Sequence, residues 1–454
     1  MIEHLPPELI TSLQNITGFH EERFKEVHRS DELVTSIRIN PKKISGEQFD
    51  AYAAIPWNPY GYYLPQRPVF TLDPLLHAGA YYVQEAASQF LWEVLRQNYQ
   101  RSAPVTALDL CAAPGGKSTL LSTYFTNGLV VANEVIKSRA AVLEENITKW
   151  GNMNVVVTNN DPQQFQRLEG FFDVMVVDAP CSGSGLFRRD NEALEEWSIA
   201  NVELCRKRQQ RILQDAYACL KKEGMLIYST CSYSPAENEE MVDYILQHFN
   251  VQPVRIAVDK DWNITETISE AKLGYGYRFF PYAVRSEGFF VAAFLKNDGT
   301  VFTDSIKGNV AAATTKETAE INKWISYARP VCFFKIKDTI LAMDAAQMQA
   351  LSAIRSNLYV KKAGIEIGEI KNKGLVPAHA LAVSEILNHE LPSVEVSKEV
   401  ALDFLSRQEI RLENINPGWT VIQYNSLPLG WIKVLPARVN NYYPVEWRIL
   451  MKTK

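Results

Sequence analysis

A chain of 454 residues exceeds what one hydrophobic core usually organises, so roughly two to four domains are expected. A composition of 46% hydrophobic and 22% charged residues is that of a folded soluble protein, and the lack of any charge-free apolar run of about 18 residues excludes a membrane-spanning helix. The net charge of -5 excludes indiscriminate coating of nucleic acid, but not nucleic-acid chemistry at a local basic face.

From the start, Met1-Ile2-Glu3-His4-Leu5-Pro6-Pro7 has no basic region followed by an apolar block. It does not read as a secretory signal, and a cytoplasmic protein is expected. Ser36 to Asn40 alternates apolar and polar residues as a strand does. Pro56 to Pro74, rich in Pro, Gly and aromatics, predicts an irregular connector, and Gln84 to Leu95 has helical spacing. From about 103 to 296 short apolar runs alternate with helical patterns: Val105 to Leu110, Leu129 to Asn133, Val155 to Thr158, Val174 to Asp178 and Met225 to Ser229. That alternation predicts an α/β fold built on a doubly wound parallel sheet. Gly288 to Leu295 reads as a closing strand, parallel or antiparallel. Small polar residues from 297 to about 318 predict a linker, and the rest reads as one or two small β-rich accessory domains.

The first of the parallel strands runs into Cys111-Ala112-Ala113-Pro114-Gly115-Gly116-Lys117, and Ser118 onwards begins a helix. Small residues between strand and helix let a ligand approach the backbone, and helix N-terminal N–H groups suit an anionic group. Gly116-Lys117-Ser118 resembles the end of a phosphate-binding loop, yet Cys111 stands where that motif needs Gly, and no G-x-G-x-x-G is present. An S-adenosylmethionine site fits better. Glu134, after the next strand, is placed to accept from ribose hydroxyls, and Asn159-Asn160-Asp161, after the third, stands where a side chain can read the adenine amino group. The bland alternative is a plain tight turn with solvent-facing acids.

Six cysteines, Cys111, Cys181, Cys205, Cys219, Cys231 and Cys332, include no Cys-x-x-Cys pair, so neither a metal nor a disulfide framework is expected. Cys181 and Cys231 fall just past the ends of two strands, at the ligand rim. Cys205, Cys219 and Cys332 read as structural. Carbon 5 of cytosine is a poor nucleophile, and a thiolate added at carbon 6 turns it into an enamine carbon that attacks a methyl-sulfonium. An acid must then neutralise ring nitrogen 3, for which Asp178 stands two residues before the Pro180-Cys181 pair. A second thiol either removes the carbon 5 proton or assists release.

Together, Cys111 to Lys117, Asp178-Ala179-Pro180-Cys181-Ser182-Gly183 and Ser229-Thr230-Cys231-Ser232 resemble the RNA cytosine-5 methyltransferases of the NOL1/NOP2/sun type, and Asp190, Arg278 to Pro281 and Glu287 to Phe290 extend the match. The resemblance implies a Rossmann-like S-adenosylmethionine-dependent domain, Cys231 as nucleophile and Cys181 as release cysteine. It implies Glu134, Asp161 and Asp178 as cofactor-contacting acids, with Asp178 also at nitrogen 3. DNA enzymes instead attack with the Pro-Cys thiol. In the tail, Pro377 to Ala382, Gly418 to Val421, Leu427 to Val434 and Asn440 to Pro444 are similar to the PUA-like module of ribosomal small-subunit methyltransferases of F type.

Four parts are thus expected: an N-terminal α/β RNA-binding extension over 1–98, the catalytic domain over 99–297, a linker and intermediate domain over 298–375, and a PUA-like RNA-binding domain over 376–454. The expected substrate is 16S rRNA, free or within the small ribosomal subunit, acted on by a monomer with no metal and no membrane. A tRNA enzyme of the same chemistry and an inactive rRNA-binding assembly factor are the alternatives. Tyr81 to Glu85 and Phe187-Arg188-Arg189 are the candidates for stacking on a flipped base, the alternative for Tyr81 and Tyr82 being a place in the core. Basic residues at 204–211 and, from 430 onwards, Lys433, Arg438, Arg448, Lys452 and Lys454 read as either phosphate contacts or solvated surface.

Overall fold

The computed structural model describes residues 5–451 apart from 270, 272, 301, 303–310, 373 and 414, so Met1 to His4, Lys452 and Lys454 lie outside the described residues. Two short helices, Pro7–Leu13 and Glu21–Arg29, precede three antiparallel strands, β1 (Thr35–Ile39), β2 (Gly61–Leu64) and β3 (Tyr81–Val83), in the order β2-β1-β3. β2 lies inside the stretch expected to be an irregular connector. Its aromatics hide the strand signal, but Gly61 lets the chain pass so close to Gln89 that a Cβ there would sit 2.4 Å from Oε1. The helix expected from Gln84 begins later, as a 3-10 turn at Ala87–Phe90 that continues into an α-helix at Leu91–Asn98.

The central sheet starts with β4 (Thr106–Asp109), β5 (Leu129–Asn133), β6 (Val155–Thr158), β7 (Phe172–Asp178) and β8 (Leu220–Thr230), all parallel. Both faces of these strands are buried, which explains runs of Val and Leu without alternation. Ala107, Val130, Val157 and Val176 meet Leu120, Tyr124, Leu143 and Ile147 on one face. Leu108, Val131, Val156 and Val177 meet Ile212, Leu213, Met241 and Ile245 on the other. The chain runs outward from β4 through β5 and β6 on one side and through β7 and β8 on the other, so β4 and β7 flank the switch point where such sheets bind ligands.

β9 (Val251–Val254), β10 (Thr265–Ile268), β11 (Tyr275–Phe279) and β12 (Phe289–Lys296) follow, with β12 antiparallel to β8 and to β9 and the order β10-β11-β12-β8. The closing strand is therefore antiparallel. Beyond residue 296 a helix at Thr315–Ile321 starts inside the expected linker, because Thr314 and Glu317 form a capping box. β13 (Val331–Ile336) and β14 (Thr339–Asp344) then lead to β15 (Val360–Ala363), which pairs antiparallel with β6 and covers the exposed edge of the central sheet. β16 (Ile365–Lys371) and β17 (Gly374–Pro377) complete the sheet β13-β14-β16-β17, and the division expected between 375 and 376 falls inside β17. The last sheet is β18 (Ser393–Glu395), β19 (Gly418–Tyr424), β20 (Leu427–Leu435) and β21 (Arg438–Asn441), packed on the helix Lys398–Leu405. Ala78 of the N-terminal part joins that same core, and Trp431 donates to the carbonyl of Ala378. Among the described residues no helix is long and apolar enough to cross a membrane.

Candidate active site

The turn after β4 is held by its carbonyls and N–H groups. Ala112 N–H donates to Asn133 O at 2.8 Å, Arg139 donates to Ala113 O and Asn146 to Pro114 O. Gly115 has φ +116°, a backbone state that any Cβ disfavours, and it turns the chain into the helix Gly116–Tyr124. Gly116 and Lys117, at the start of that helix, line a cavity of about 180 Å³. Its walls are Asp109, Cys111 to Pro114, Gly116, Lys117 and Asp178, together with Tyr82 to Glu85 and Ser88.

Charge in this cavity is dense. Lys117 Nζ lies 2.7 Å from Asp178 Oδ2, and Ser229 Oγ donates to Asp178 Oδ1 at 2.7 Å. Asp109 accepts from Ser118 Oγ at 2.6 Å, and burial pushes its carboxyl up to about 7. Burial also pushes Glu85 up to about 7, although it accepts from the Ser88 and Glu287 N–H groups. Two buried polar atoms of the lining, Asp109 Oδ1 and Gln84 Nε2, have no partner. S-adenosylmethionine has a cationic ammonium and sulfonium and an anionic carboxylate. It therefore offers a donor for the first atom and an acceptor for the second, and the residues fit it.

The two rim cysteines meet because of strand register. Asp178 of β7 is paired with Ser229 of β8, so the loops that follow start side by side. Ala179 N–H donates to Ser229 O and Gly185 N–H to Cys231 O, both at 2.8 Å. Gly185 is required here, since a Cβ would stand 2.6 Å from Cys231 O and 2.5 Å from Gly288 O. The result is a distance of 3.1 Å between Cys181 Sγ and Cys231 Sγ. The hydrogen bond with Cys231, then burial, holds the Cys181 thiol well above the usual thiol range.

Glu134 and Asp161 lie outside this cavity lining. Glu134, buried at the end of β5, accepts from Ile136 N–H at 2.9 Å and lies 3.6 Å from Arg139. Asp161 accepts from Gln163 N–H at 3.0 Å and lies 3.7 Å from Arg211. Of the base-stacking candidates, Tyr81 is buried with its hydroxyl on Asp73, while Tyr82 faces the cofactor cavity. Phe187 is buried, and Arg188 and Arg189 are tied to the buried Glu287 at 3.2 and 3.0 Å. These three therefore brace the Cys181 loop rather than present free planes. The basic run at 204–211 is largely paired: Arg206 with Glu240 at 2.7 Å, Lys207 with Glu203 at 3.7 Å. Cys205 and Cys219 are buried, and Cys332 is half-buried on β13.

Sequence reasoning passed over Arg38, which donates to Gln84 Oε1, Gly116 O and Thr119 Oγ1, and Glu237, which is bonded to both cysteine loops. Arg38 carries no signal in a strand that reads as ordinary alternation. Glu237 had one: an acid six residues beyond Cys231, after a Ser-Pro break.

Residues 99–295 match the family "16S rRNA methyltransferase RsmB/F", residues 5–86 the "N-terminal domain of 16S rRNA methyltransferase RsmF", and residues 391–449 the "Methyltransferase RsmF PUA domain". The chain is 30% identical to ribosomal RNA small subunit methyltransferase F of Aeromonas salmonicida over 91% of its length and 90% of that protein. It is 28% identical to the protein of the same name from Vibrio atlanticus, over 98% and 97%. A crystal structure of a methyltransferase homolog from Pyrococcus horikoshii superposes with TM-score 0.53 and 26% identity, covering 64% of this chain and all of that one. The protein belongs to the RsmB/F family of 16S rRNA methyltransferases and carries the N-terminal and PUA domains of RsmF.

Proposed function

We propose that this enzyme methylates carbon 5 of a cytosine in 16S rRNA, with Cys231 as covalent nucleophile, Cys181 as release thiol and the Lys117–Asp178 pair serving ring nitrogen 3. The observation that carries the assignment is the 3.1 Å approach of the two sulfurs, on loops that leave β7 and β8 just after the paired Asp178 and Ser229. S-adenosylmethionine, when bound along Cys111 to Lys117, supplies an electrophilic methyl group. Glu134 and Asp161, at the ends of β5 and β6, are the residues proposed for its ribose and adenine.

Cys231 sulfur forms a bond to carbon 6, and the ring electrons shift towards nitrogen 3. The proton needed there is held on Lys117 Nζ and passes through Asp178, its neighbour at 2.7 Å. Once carbon 5 carries the methyl group, its proton leaves to a water, nitrogen 3 returns its proton to the Lys117–Asp178 pair, the carbon 5–carbon 6 double bond re-forms, and the carbon–sulfur pair returns to Cys231 as a thiolate. Cys181 assists by donating its S–H to the departing sulfur. Held as the protonated thiol, Cys181 is not available as a base for the carbon 5 proton, and at 3.1 Å it can hydrogen-bond the departing sulfur, which favours the second of the two roles open to it.

A four-part division at residues 98, 297 and the end of β17 is proposed as the functional one, with the first and last parts holding RNA. The two free thiols at 3.1 Å support a reducing, cytoplasmic setting.

With labelled cofactor and 16S rRNA, free or in the small subunit, Cys181→Ala should slow release by about 10²–10⁴-fold. A protein–RNA adduct should then accumulate on a denaturing gel. Cys231→Ala should give neither adduct nor product. Adduct in Cys231→Ala with none in Cys181→Ala would exchange the two roles. Label entering tRNA or DNA but not 16S rRNA would overturn the substrate.

A further inference from the structure

The carboxylate of Glu237 lies beneath the two cysteine loops, fully buried. Its Oε1 accepts from Ser182 N–H at 2.8 Å and from Gln209 Nε2 at 3.3 Å. Its Oε2 accepts from Ser182 Oγ and Ser232 Oγ, each at 2.6 Å. Ser182 follows Cys181 and Ser232 follows Cys231, so one carboxylate holds the residue after each thiol. Around it, Gln209 Nε2 also donates to Pro180 O at 3.1 Å, and Asn238 Nδ2 donates to Ser232 O at 2.8 Å. A buried carboxylate with no cation among its bonded partners costs stability unless hydrogen-bond donors surround it. Here all of the donors come from the two loops and from the helix beneath them.

We infer that Glu237 is a positioning residue for the reaction: by bonding the serine after each cysteine it sets the separation of the two sulfurs. This rests on the reading of Cys231 and Cys181 as the reacting pair. Strand register alone brings the loops together only up to Asp178 and Ser229, two or three residues short of the thiols. Beyond that point the clamp at Glu237 and the contact of Gly185 with Cys231 O decide where the sulfurs stand. A displacement of about 1 Å between reacting groups costs on the order of 100-fold in rate.

The test measures single-turnover adduct formation in the Cys181→Ala background, with cofactor affinity and melting temperature measured alongside. Glu237→Ala and the double variant Ser182→Ala/Ser232→Ala should each slow adduct formation by about 100-fold, with cofactor affinity unchanged. The serine pair keeps the test valid should Glu237→Ala fail to fold. Glu237→Gln should restore most of the rate, because its oxygen keeps the two N–H donors and both serine hydroxyls can turn to accept from its amide. A serine double variant reacting at the parent rate would overturn the proposal. So would Glu237→Gln as slow as Glu237→Ala with a native melting temperature, since charge rather than placement would then be the contribution. Adduct formed through Cys181 in a Cys231→Ala background would instead overturn the assignment of roles and leave the clamp to be judged by the same rates.

Discussion

Replacing Arg38 by Met should weaken both the fold and the cofactor site. The guanidinium is fully buried, donates to Gln84 Oε1 at 2.8 Å, Gly116 O at 3.2 Å and Thr119 Oγ1 at 2.6 Å, and lies 4.5 Å over the Trp150 ring. Gly116 O and Thr119 Oγ1 keep each other as partners at 3.1 Å, so the acceptor left alone is Gln84 Oε1. An orphaned buried acceptor costs about 1–3 kcal/mol and the lost cation–π contact about 0.5–2 kcal/mol. Relief of burying a charge offsets part of this, leaving a net loss of roughly 2–3 kcal/mol. For a domain of this size that is a fall of roughly 5–10 °C in melting temperature. Arg38 also orients the Gln84 amide so that Nε2 faces the cofactor cavity. Freeing it should weaken S-adenosylmethionine binding by about tenfold, the worth of one hydrogen bond. Thermal unfolding of the ligand-free protein and calorimetric titration with S-adenosylmethionine measure the two effects. A variant with the parent melting temperature and the parent affinity would refute the reasoning.

Asp109 makes the ligand-free protein sensitive to pH. Its folded-state value is raised to about 7, so the stability it contributes is full below the ordinary aspartate range and is lost as pH rises through about 7. Asp109→Asn should flatten that decline without abolishing it, because Glu85 titrates in the same direction; denaturant midpoints at pH 5 and pH 8 measure it, and an unchanged slope would contradict the assignment. Gly151→Ala should lower the melting temperature more than Gly183→Ala. Both glycines have positive φ, +82° and +74°, but a Cβ at 151 would stand 2.3 Å from Val383 O, while at 183 its nearest neighbour is Ala193 Cβ at 3.8 Å. Each should bear about 1–3 kcal/mol of backbone strain, and only Gly151→Ala adds a clash that pushes apart the catalytic part and the chain near 383. Equal losses in the two variants would count against the close approach as the cause.

The candidate site was legible along the chain because it depends on residue type and on distance from a strand end. Cys111 to Lys117, Asp178, Cys181 and Cys231 each follow a short, largely apolar buried run, and a parallel sheet necessarily brings such ends to one rim. The parallel core follows from the same local patterns, whereas the direction of the closing strand is decided by its pairing with β8. Other features depend on contacts between segments far apart in sequence. β2 hides among aromatics until it pairs with β1, and β15 reads as an accessory strand until β6 offers it an open edge. Arg188 and Arg189 look free to meet RNA, yet Glu287, nearly a hundred positions later, holds both. Arg38 and Glu237 matter through partners that only folding delivers. A residue's chemistry is intrinsic to the chain, whereas its ionisation, its bonding partners and its freedom to meet a substrate are set by whatever the fold packs against it.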